Sequence, residues 1–231
     1  MFKRGFPALG GGLAAGGMVL GLWALGMAAP VSAAVMINEL YYDPPGTDTD
    51  HEFIELYNSG ATSVSLDGYR IEWGSSSFNN KFSLPAGYFI PAGSCFLIGG
   101  SETFKDFGVT PDLLYAFNFP NGGSSTVGVR ITDGAGYYDT LLYDSPNTNQ
   151  LPAAEGGWDN GLFAPDVAAG HSLQRITPGV DTNQASDWYD NSKPDPTPRS
   201  QPKSVPEAGT LWLMGIGLIG MGKWLCRRRR V

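Results

Sequence analysis

The sequence is poor in the residues that most enzymes use for nucleophilic or metal-assisted chemistry. It has two cysteines, Cys95 and Cys226, and two histidines, His51 and His171. Nucleophilic hydrolysis needs a general base beside an activated nucleophile, and no Gly-x-Ser-x-Gly elbow accompanies either histidine. A zinc site needs several closely spaced Cys or His ligands. The sequence therefore carries no enzyme signature, and we expect both histidines to be surface or capping residues.

The shortage of cysteine also excludes a disulfide within the central part of the chain. Cys226 lies beside the C-terminal arginines, which leaves Cys95 without a partner there. Cys95 begins the apolar run 95–98, so we interpret it as a small buried hydrophobic residue rather than a nucleophile. Packing alone must then stabilise a domain of this size.

The N-terminus is typical of an export signal. Two basic residues near its start precede residues 10–27, which carry no charge and include seven glycines. Small residues then lead to a predicted cleavage between Ala33 and Ala34. An uncleaved membrane helix is the alternative, but so many glycines disfavour a stable span. We assign residues 1–33 to a signal peptide.

The C-terminus combines a short apolar segment with a basic end. Residues 211–221 are apolar, and the chain then ends in Arg227, Arg228, Arg229, Arg230 and a final valine. The segment is shorter than the roughly 20 residues that cross a bilayer comfortably. Arginines beside an apolar segment stay on the cytoplasmic side. They therefore predict a membrane anchor with the preceding domain outside, in preference to a nucleic-acid-binding tail.

Directly before the apolar segment stand Val205, Pro206 and Glu207. This motif, the short span and the terminal arginines together resemble the PEP-CTERM sorting signal, with Ala208 at the place of the usual second proline. The resemblance implies a Gram-negative host and an exosortase-type partner that removes the span near Pro206 and Glu207. The protein would then be anchored in the inner membrane before processing and reach the cell surface or extracellular matrix afterwards.

The remaining chain is strongly acidic. The sequence has 15 Lys and Arg and 22 Asp and Glu; the two ends hold seven of the basic residues and one of the acidic ones, which leaves 8 against 21 and a net charge of −13. A domain of this charge repels nucleic acid and anionic lipid and attracts cations. We therefore expect no nucleic-acid partner.

The pattern between the ends favours strands. Runs at 35–42, 52–58 and 94–98 are separated by turn clusters, and residues 127–131 alternate apolar and small or polar side chains. A Gly-rich turn at 133–136 predicts a hairpin. Short strands at this spacing indicate an all-β antiparallel sandwich or barrel.

Several segments resemble the lamin-tail domain, an immunoglobulin-like β-sandwich that also occurs in exported bacterial proteins. They include residues 35–40, 52–58, 66–71 and 90–94, with a closing segment that begins at 171. The resemblance implies an immunoglobulin-like fold and an extracellular accessory role without a fixed activity. Our assignment is a signal peptide (1–33), a lamin-tail-like sandwich (34–190), a Pro-rich spacer (191–205) and a sorting signal with transmembrane segment and Arg tail (206–231).

Two further patterns are candidate binding sites. Asp48, Asp50 and Glu52 belong to an acidic stretch between two predicted strands, where carboxylates are potential calcium ligands. Their spacing does not match an EF-hand, and surface solvation explains them equally well. The aromatic residues offer faces for sugars, although most rings in a sandwich are core; these are Phe117, Phe119, Tyr137, Tyr138, Trp158, Trp188 and Tyr189.

These observations favour an exported, non-catalytic module that makes binding or structural contacts, with exopolysaccharide or surface proteins as partners. One alternative is a metal-dependent extracellular hydrolase of phosphodiesterase or nuclease type, for which the sequence offers only the acidic half of a site. Another is a purely structural spacer without a ligand.

Overall fold

A computed structural model describes residues 35–123, 126–152 and 163–197 of the chain. Helix is confined to α1 (Thr103–Phe107) and a 3₁₀ turn at Ala185–Asp187 within these ranges. The strands in chain order are β1 (Val35–Tyr41), β2 (Phe53–Asn58), β3 (Val64–Ser65), β4 (Arg70–Gly74), β5 (Asn80–Ser83), β6 (Phe89–Ile90), β7 (Cys95–Gly99), β8 (Leu113–Leu114), β9 (Val127–Thr132), β10 (Tyr137–Asp144), β11 (Ala164–Pro165), β12 (Ser172–Arg175) and β13 (Trp188–Asn191).

Two sheets enclose one hydrophobic core. The first sheet has six strands in the order β13-β12-β1-β2-β7-β8, and the second has five in the order β11-β10-β9-β4-β5; β3 and β6 form a small third sheet. The pairs β7–β8 and β10–β11 are parallel, and the other pairs are antiparallel. Apolar residues from both large sheets share a single buried cluster. The predicted all-β sandwich is confirmed.

The alternating patterns fold as predicted. In the second sheet Ile71 pairs with Ile131 and Trp73 with Val129, and all four are buried. Since successive side chains of a strand point to opposite faces, this register places four apolar side chains on one face, toward the core. The short apolar periodicity therefore fixes which side of the sheet is buried.

The predicted hairpin also forms. Strands β9 and β10 pair antiparallel across residues 133–136. Asp133 Oδ1 accepts hydrogen bonds from the backbone N–H groups of Ala135 and Gly136, both at 2.8 Å. Gly134 has a φ of +84°, a left-handed conformation that glycine adopts readily because it has no Cβ. The residues that predict the turn from sequence thus also supply the hydrogen bonds and the backbone angle that close the hairpin.

The polar side of β4 is less open than its sequence suggests. Glu72 alternates with core residues, yet it is 1% exposed. Arg130 Nη2 and Arg70 Nε each donate to its carboxylate at 2.6 Å. Burial alone raises the pKa of Glu72, but these two guanidinium groups outweigh burial and lower it. The outer face of this sheet is therefore stabilised by ion pairs across strands.

A buried ion pair links the two large sheets. Arg175 on β12 is 3% exposed and Asp139 on β10 is fully buried. Arg175 Nη2 donates to Asp139 Oδ2 at 2.7 Å, and the same oxygen accepts the N–H of Ile37 on β1 at 2.7 Å. Arg175 Nε donates to the Ile37 carbonyl at 2.7 Å. The Asp139 and Arg175 side chains thus pair with the backbone N–H and C=O of Ile37, at the point where the β1–β2 register shifts.

Arg175 also holds the end of the domain in place. Its guanidinium carbon lies 4.5 Å over the ring of Trp188, which begins β13. Its Nη1 donates to the Val180 carbonyl at 3.1 Å and to Asp181 at 3.3 Å. One side chain therefore contacts β1, β10, the 176–187 loop and β13, so the closing strands depend on it.

We predict that Arg175→Met destabilises the domain by about 3–5 kcal/mol, because it leaves the Asp139 carboxylate buried without its cation. The free energy of unfolding from urea titration measures this. Lys105→Met is the control: Lys105 lies on the surface and pairs only with Glu102, so the unfolding midpoint stays nearly unchanged. A loss below about 1 kcal/mol for Arg175→Met would show that the pair is not a main support of the fold.

Candidate functional site

The predicted calcium ligands lie in and after the loop between β1 and β2. Asp48 and Asp50 occupy the loop, and Asp50 has a φ of +66°. Asp48 Oδ2 and Asp43 Oδ1 both accept from the side-chain amide of Asn121, at 3.1 and 3.2 Å. The Asn121 side-chain amide therefore bridges these two carboxylates.

Glu52 points away from that loop surface into the protein. It is fully buried, and its two oxygens accept the backbone N–H of Phe119 at 3.1 and 3.0 Å. Burial raises the pKa of Glu52 to about 8, although the Phe119 bond acts in the opposite direction. Glu52 is therefore mostly uncharged at neutral pH, and its main contact is to a loop of the second half of the chain.

Two aspartates that sequence spacing did not connect with this loop lie close to it. The Tyr42 hydroxyl donates to Asp166 at 3.1 Å. Burial, followed by the negative charge of Asp166, raises the pKa of Asp144 to about 6. In the described ranges, no group of three or more His, Cys, Asp or Glu is arranged to hold a metal ion. The acidic residues share one end of the sandwich without converging on a point, and calcium binding by Asp48, Asp50 and Glu52 stays a prediction.

Each histidine pairs with a surface carboxylate. His51 Nδ1 lies 2.7 Å from Asp106, and His171 Nδ1 lies 2.7 Å from Asp190. The His51 and His171 side chains are 28% and 29% exposed. Both arrangements match the surface role predicted from sequence.

Two further members of the same acidic stretch, Glu39 and Glu55, form a separate group on the outer face of the first sheet. Glu39 on β1 and Glu55 on β2 are directly paired across the strands, and both are buried. Ser172 donates to Glu39, and Asn38 Nδ2 donates to Glu55 Oε1 at 2.6 Å. Burial raises the pKa of Glu39 to about 8 and also raises that of Glu55. Two adjacent carboxyl groups are tolerated here because neither needs to be charged.

Residues 192–197, here named the strap, cover this pair. Thr197 donates its backbone N–H and its hydroxyl to Glu55 Oε2, at 2.5 and 2.6 Å. Asp195 Oδ1 accepts from Gln174 Nε2 at 2.9 Å, and Pro196 is buried. Residues up to 197, the first part of the region that we assigned to a spacer, thus pack against the sandwich.

Cys95 lies beneath the strap. It is fully buried, as predicted, and its thiol is hydrogen-bonded to Thr197 and Glu55. Burial, followed by the neighbouring Glu55 charge, raises the pKa of the Cys95 thiol. A thiol with a raised pKa is a poor nucleophile. The contacts among Cys95, Glu55 and Thr197 are therefore structural rather than catalytic.

Three of the seven rings considered for sugar stacking are buried, so that hypothesis is wrong for these three. Phe117, Phe119 and Trp188 are 3%, 1% and 4% exposed. Phe117 and Phe119 stack with centroids 4.5 Å apart and meet Trp73 edge-on. Phe117 and Phe119 lie between β8 and β9 rather than in a strand, yet all three rings belong to the hydrophobic core. Tyr189 is 39% exposed, and Trp158 lies outside the described residues.

The residues predicted to direct processing also lie outside the described residues. They are Ala33, Ala34, Val205, Pro206, Glu207, Arg227, Arg228, Arg229 and Arg230. The predicted transmembrane segment belongs to the same undescribed region. Within the described residues, no helix is both long and apolar enough to span a bilayer.

Comparison with known families gives two matches. Residues 28–161 match the family model of the Lamin Tail Domain. Residues 204–230 match the PEP-CTERM protein-sorting motif. No curated protein matches the chain. Both matches agree with the resemblances read from the sequence.

The buried glutamates predict a stability that falls with rising pH. Glu39 and Glu52 keep their protons up to about pH 8 when folded, whereas the unperturbed value is 4.5. The folded state therefore binds more protons between these values, and each group lowers the unfolding free energy by about 1.4 kcal/mol per pH unit there. Urea titrations from pH 5 to 8 measure the slope of the unfolding free energy against pH. In Glu39→Gln this slope becomes shallower by the contribution of one group. Glu102→Gln, on the surface, serves as the control; identical slopes in all three proteins would contradict the assignment.

Calcium binding is tested by thermal melting. If Asp48, Asp50 and Glu52 bind the ion, adding calcium to EDTA-treated protein raises the melting temperature. Asp48→Asn then abolishes the increase, while Asp67→Asn, in a turn elsewhere, retains it. A melting temperature that calcium and EDTA leave unchanged removes the site.

Proposed function

Because this chain belongs to the lamin tail domain family, we propose that it works as a non-catalytic β-sandwich module at the cell surface or in the extracellular matrix. The order of the parts carries this proposal. A Lamin Tail Domain match over residues 28–161 is followed by the strap and then by a PEP-CTERM match over residues 204–230. A folded module is thus joined directly to a sorting motif.

The sorting motif implies the route to the surface. Residues 1–33 direct export, and cleavage after Ala33 frees the N-terminus. The terminal arginines stay on the cytoplasmic side, so Val205, Pro206 and Glu207 face the outer side of the inner membrane. An exosortase-type enzyme then cuts near Pro206 and Glu207 and releases the sandwich without its anchor.

The module offers an acidic, rigid surface rather than a reaction centre. Among its buried acids, Glu39 and Glu52 have pKa values raised to about 8 and Glu72 is ion-paired, and ten aromatic residues are buried. The net charge of −13 between the two ends favours contacts with cationic groups of surface proteins or matrix polymers. Within the residues described, no group of three or more His, Cys, Asp or Glu is arranged to hold a metal ion, so the alternative of a metal-dependent hydrolase has no support there.

Substitution within the motif tests the sorting route. We predict that the double substitution Pro206→Ala and Glu207→Ala abolishes processing, because the enzyme reads these side chains. The chain then keeps its C-terminal segment and accumulates in the inner-membrane fraction. Pro202→Ala, four residues upstream, is the matched control and is processed normally. Mass spectrometry of each fraction gives the mass of the chain, and normal release of the double variant would overturn the route.

A further inference from the structure

The strap differs from the strands in how it is attached. Strand pairing of the C-terminal region ends at Asn191. Beyond it, Thr197 is hydrogen-bonded to Glu55 and Cys95. The Asp195 side chain accepts from Gln174 and Asn191, and its backbone is hydrogen-bonded to Glu39. Pro196 is the one buried residue among residues 192–197. A few polar contacts thus hold the strap. By contrast, β12 and β13 are held by the backbone hydrogen bonds of the sheet and by the contacts of Arg175.

The surface beneath the strap favours its release. The titratable groups that face Glu39 are Glu55 on β2, Asp195 on the strap, Cys95 on β7 and Tyr189 on β13. All of these are acids or neutral groups. When the strap opens, Glu39 and Glu55 return to water, which relieves the penalty of burying them. The sandwich beneath keeps its own ladder bonds.

We propose that the strap is releasable: it detaches from the first sheet while the sandwich stays folded, and it thereby changes how far the sorting motif reaches from the domain. Thr197 stands eight positions before Val205, and Asn191 stands fourteen before it. An extended chain covers at most about 3.5 Å per residue. The maximum tether therefore grows from about 28 Å with the strap closed to about 49 Å with it open.

This second half of the inference rests on the proposed function, since the tether matters only if the motif is processed at the membrane. With the strap closed, the motif lies at most about 28 Å from Thr197. With the strap open, the motif gains about 20 Å of reach. The strap would then control how easily a membrane-bound enzyme reaches Val205, Pro206 and Glu207.

Cys95 reports directly on the strap, because its thiol is buried beneath Thr197. In the full chain carrying Cys226→Ser, Cys95 is the only thiol. Its alkylation by iodoacetamide under native conditions, divided by the rate in urea at the same pH, measures strap opening. Thr197→Val removes the hydroxyl donor to Glu55, and we expect alkylation to become about 10-fold faster or more.

Two matched variants make the result specific. Thr197→Ser keeps the hydroxyl and retains slow alkylation. Thr182→Val removes a comparable hydroxyl bond, from Thr182 to Asp187 at 2.6 Å, and leaves Cys95 protected. Raising the pH from 7 to 9 accelerates the normalised rate in the unsubstituted chain, because ionisation of Glu39 opposes closure.

Global unfolding is the competing route to Cys95. Urea titration gives the unfolding free energy of each variant, and this free energy sets the fraction of molecules that are globally unfolded. If the strap is released, Cys95 of Thr197→Val is alkylated faster than this unfolded fraction alone would permit. If alkylation never exceeds that rate, or if Thr197→Val reacts as slowly as the unsubstituted chain, the strap is a fixed part of the domain. The assay uses purified protein, so its outcome is independent of the sorting route, and failure of one leaves the other standing.

Discussion

The closing half of the sandwich depends on one buried charge pair, Arg175 with Asp139. A guanidinium and a carboxylate removed from water are tolerated only when each is fully hydrogen-bonded. Here the pair shares its bonds with the backbone of Ile37, and the same guanidinium lies over Trp188. Without the pairing, β12 keeps its ladder bonds to β1 but loses this link to β10 in the opposite sheet.

The acids without a cation obey a different rule. Glu39, Glu52 and Glu55 are buried and receive hydrogen bonds from backbone N–H, hydroxyl or amide groups. Such donors satisfy a carboxyl group without neutralising it, so burial keeps the proton on the group instead. A strongly acidic domain thereby buries part of its acidity in uncharged form. Rising pH works against that arrangement, including at the pair Glu39 and Glu55 beneath the strap.

The sequence was most informative where local pattern decides structure. Alternation at 127–131 and the turn chemistry of Asp133 and Gly134 predicted β9, β10 and their hairpin, because those signals depend on neighbours in the chain. It was least informative where the partner is distant. Glu52 is bonded to Phe119, 67 positions away, and Arg175 is bonded to Ile37, 138 positions away. No local period reveals such contacts, so the sequence places Glu52 among the candidate calcium ligands without indicating its burial, and it does not predict β12 and β13 as strands.

The account joins a family fold to a sorting motif and places the sandwich outside the cell. Intact-mass measurement of the protein recovered from the cell surface of the native host tests this most directly. The account predicts a chain that begins at Ala34 and ends close to Pro206 and Glu207, without the terminal arginines. A full chain of 231 residues recovered from the cytosol, with both ends intact, would contradict it.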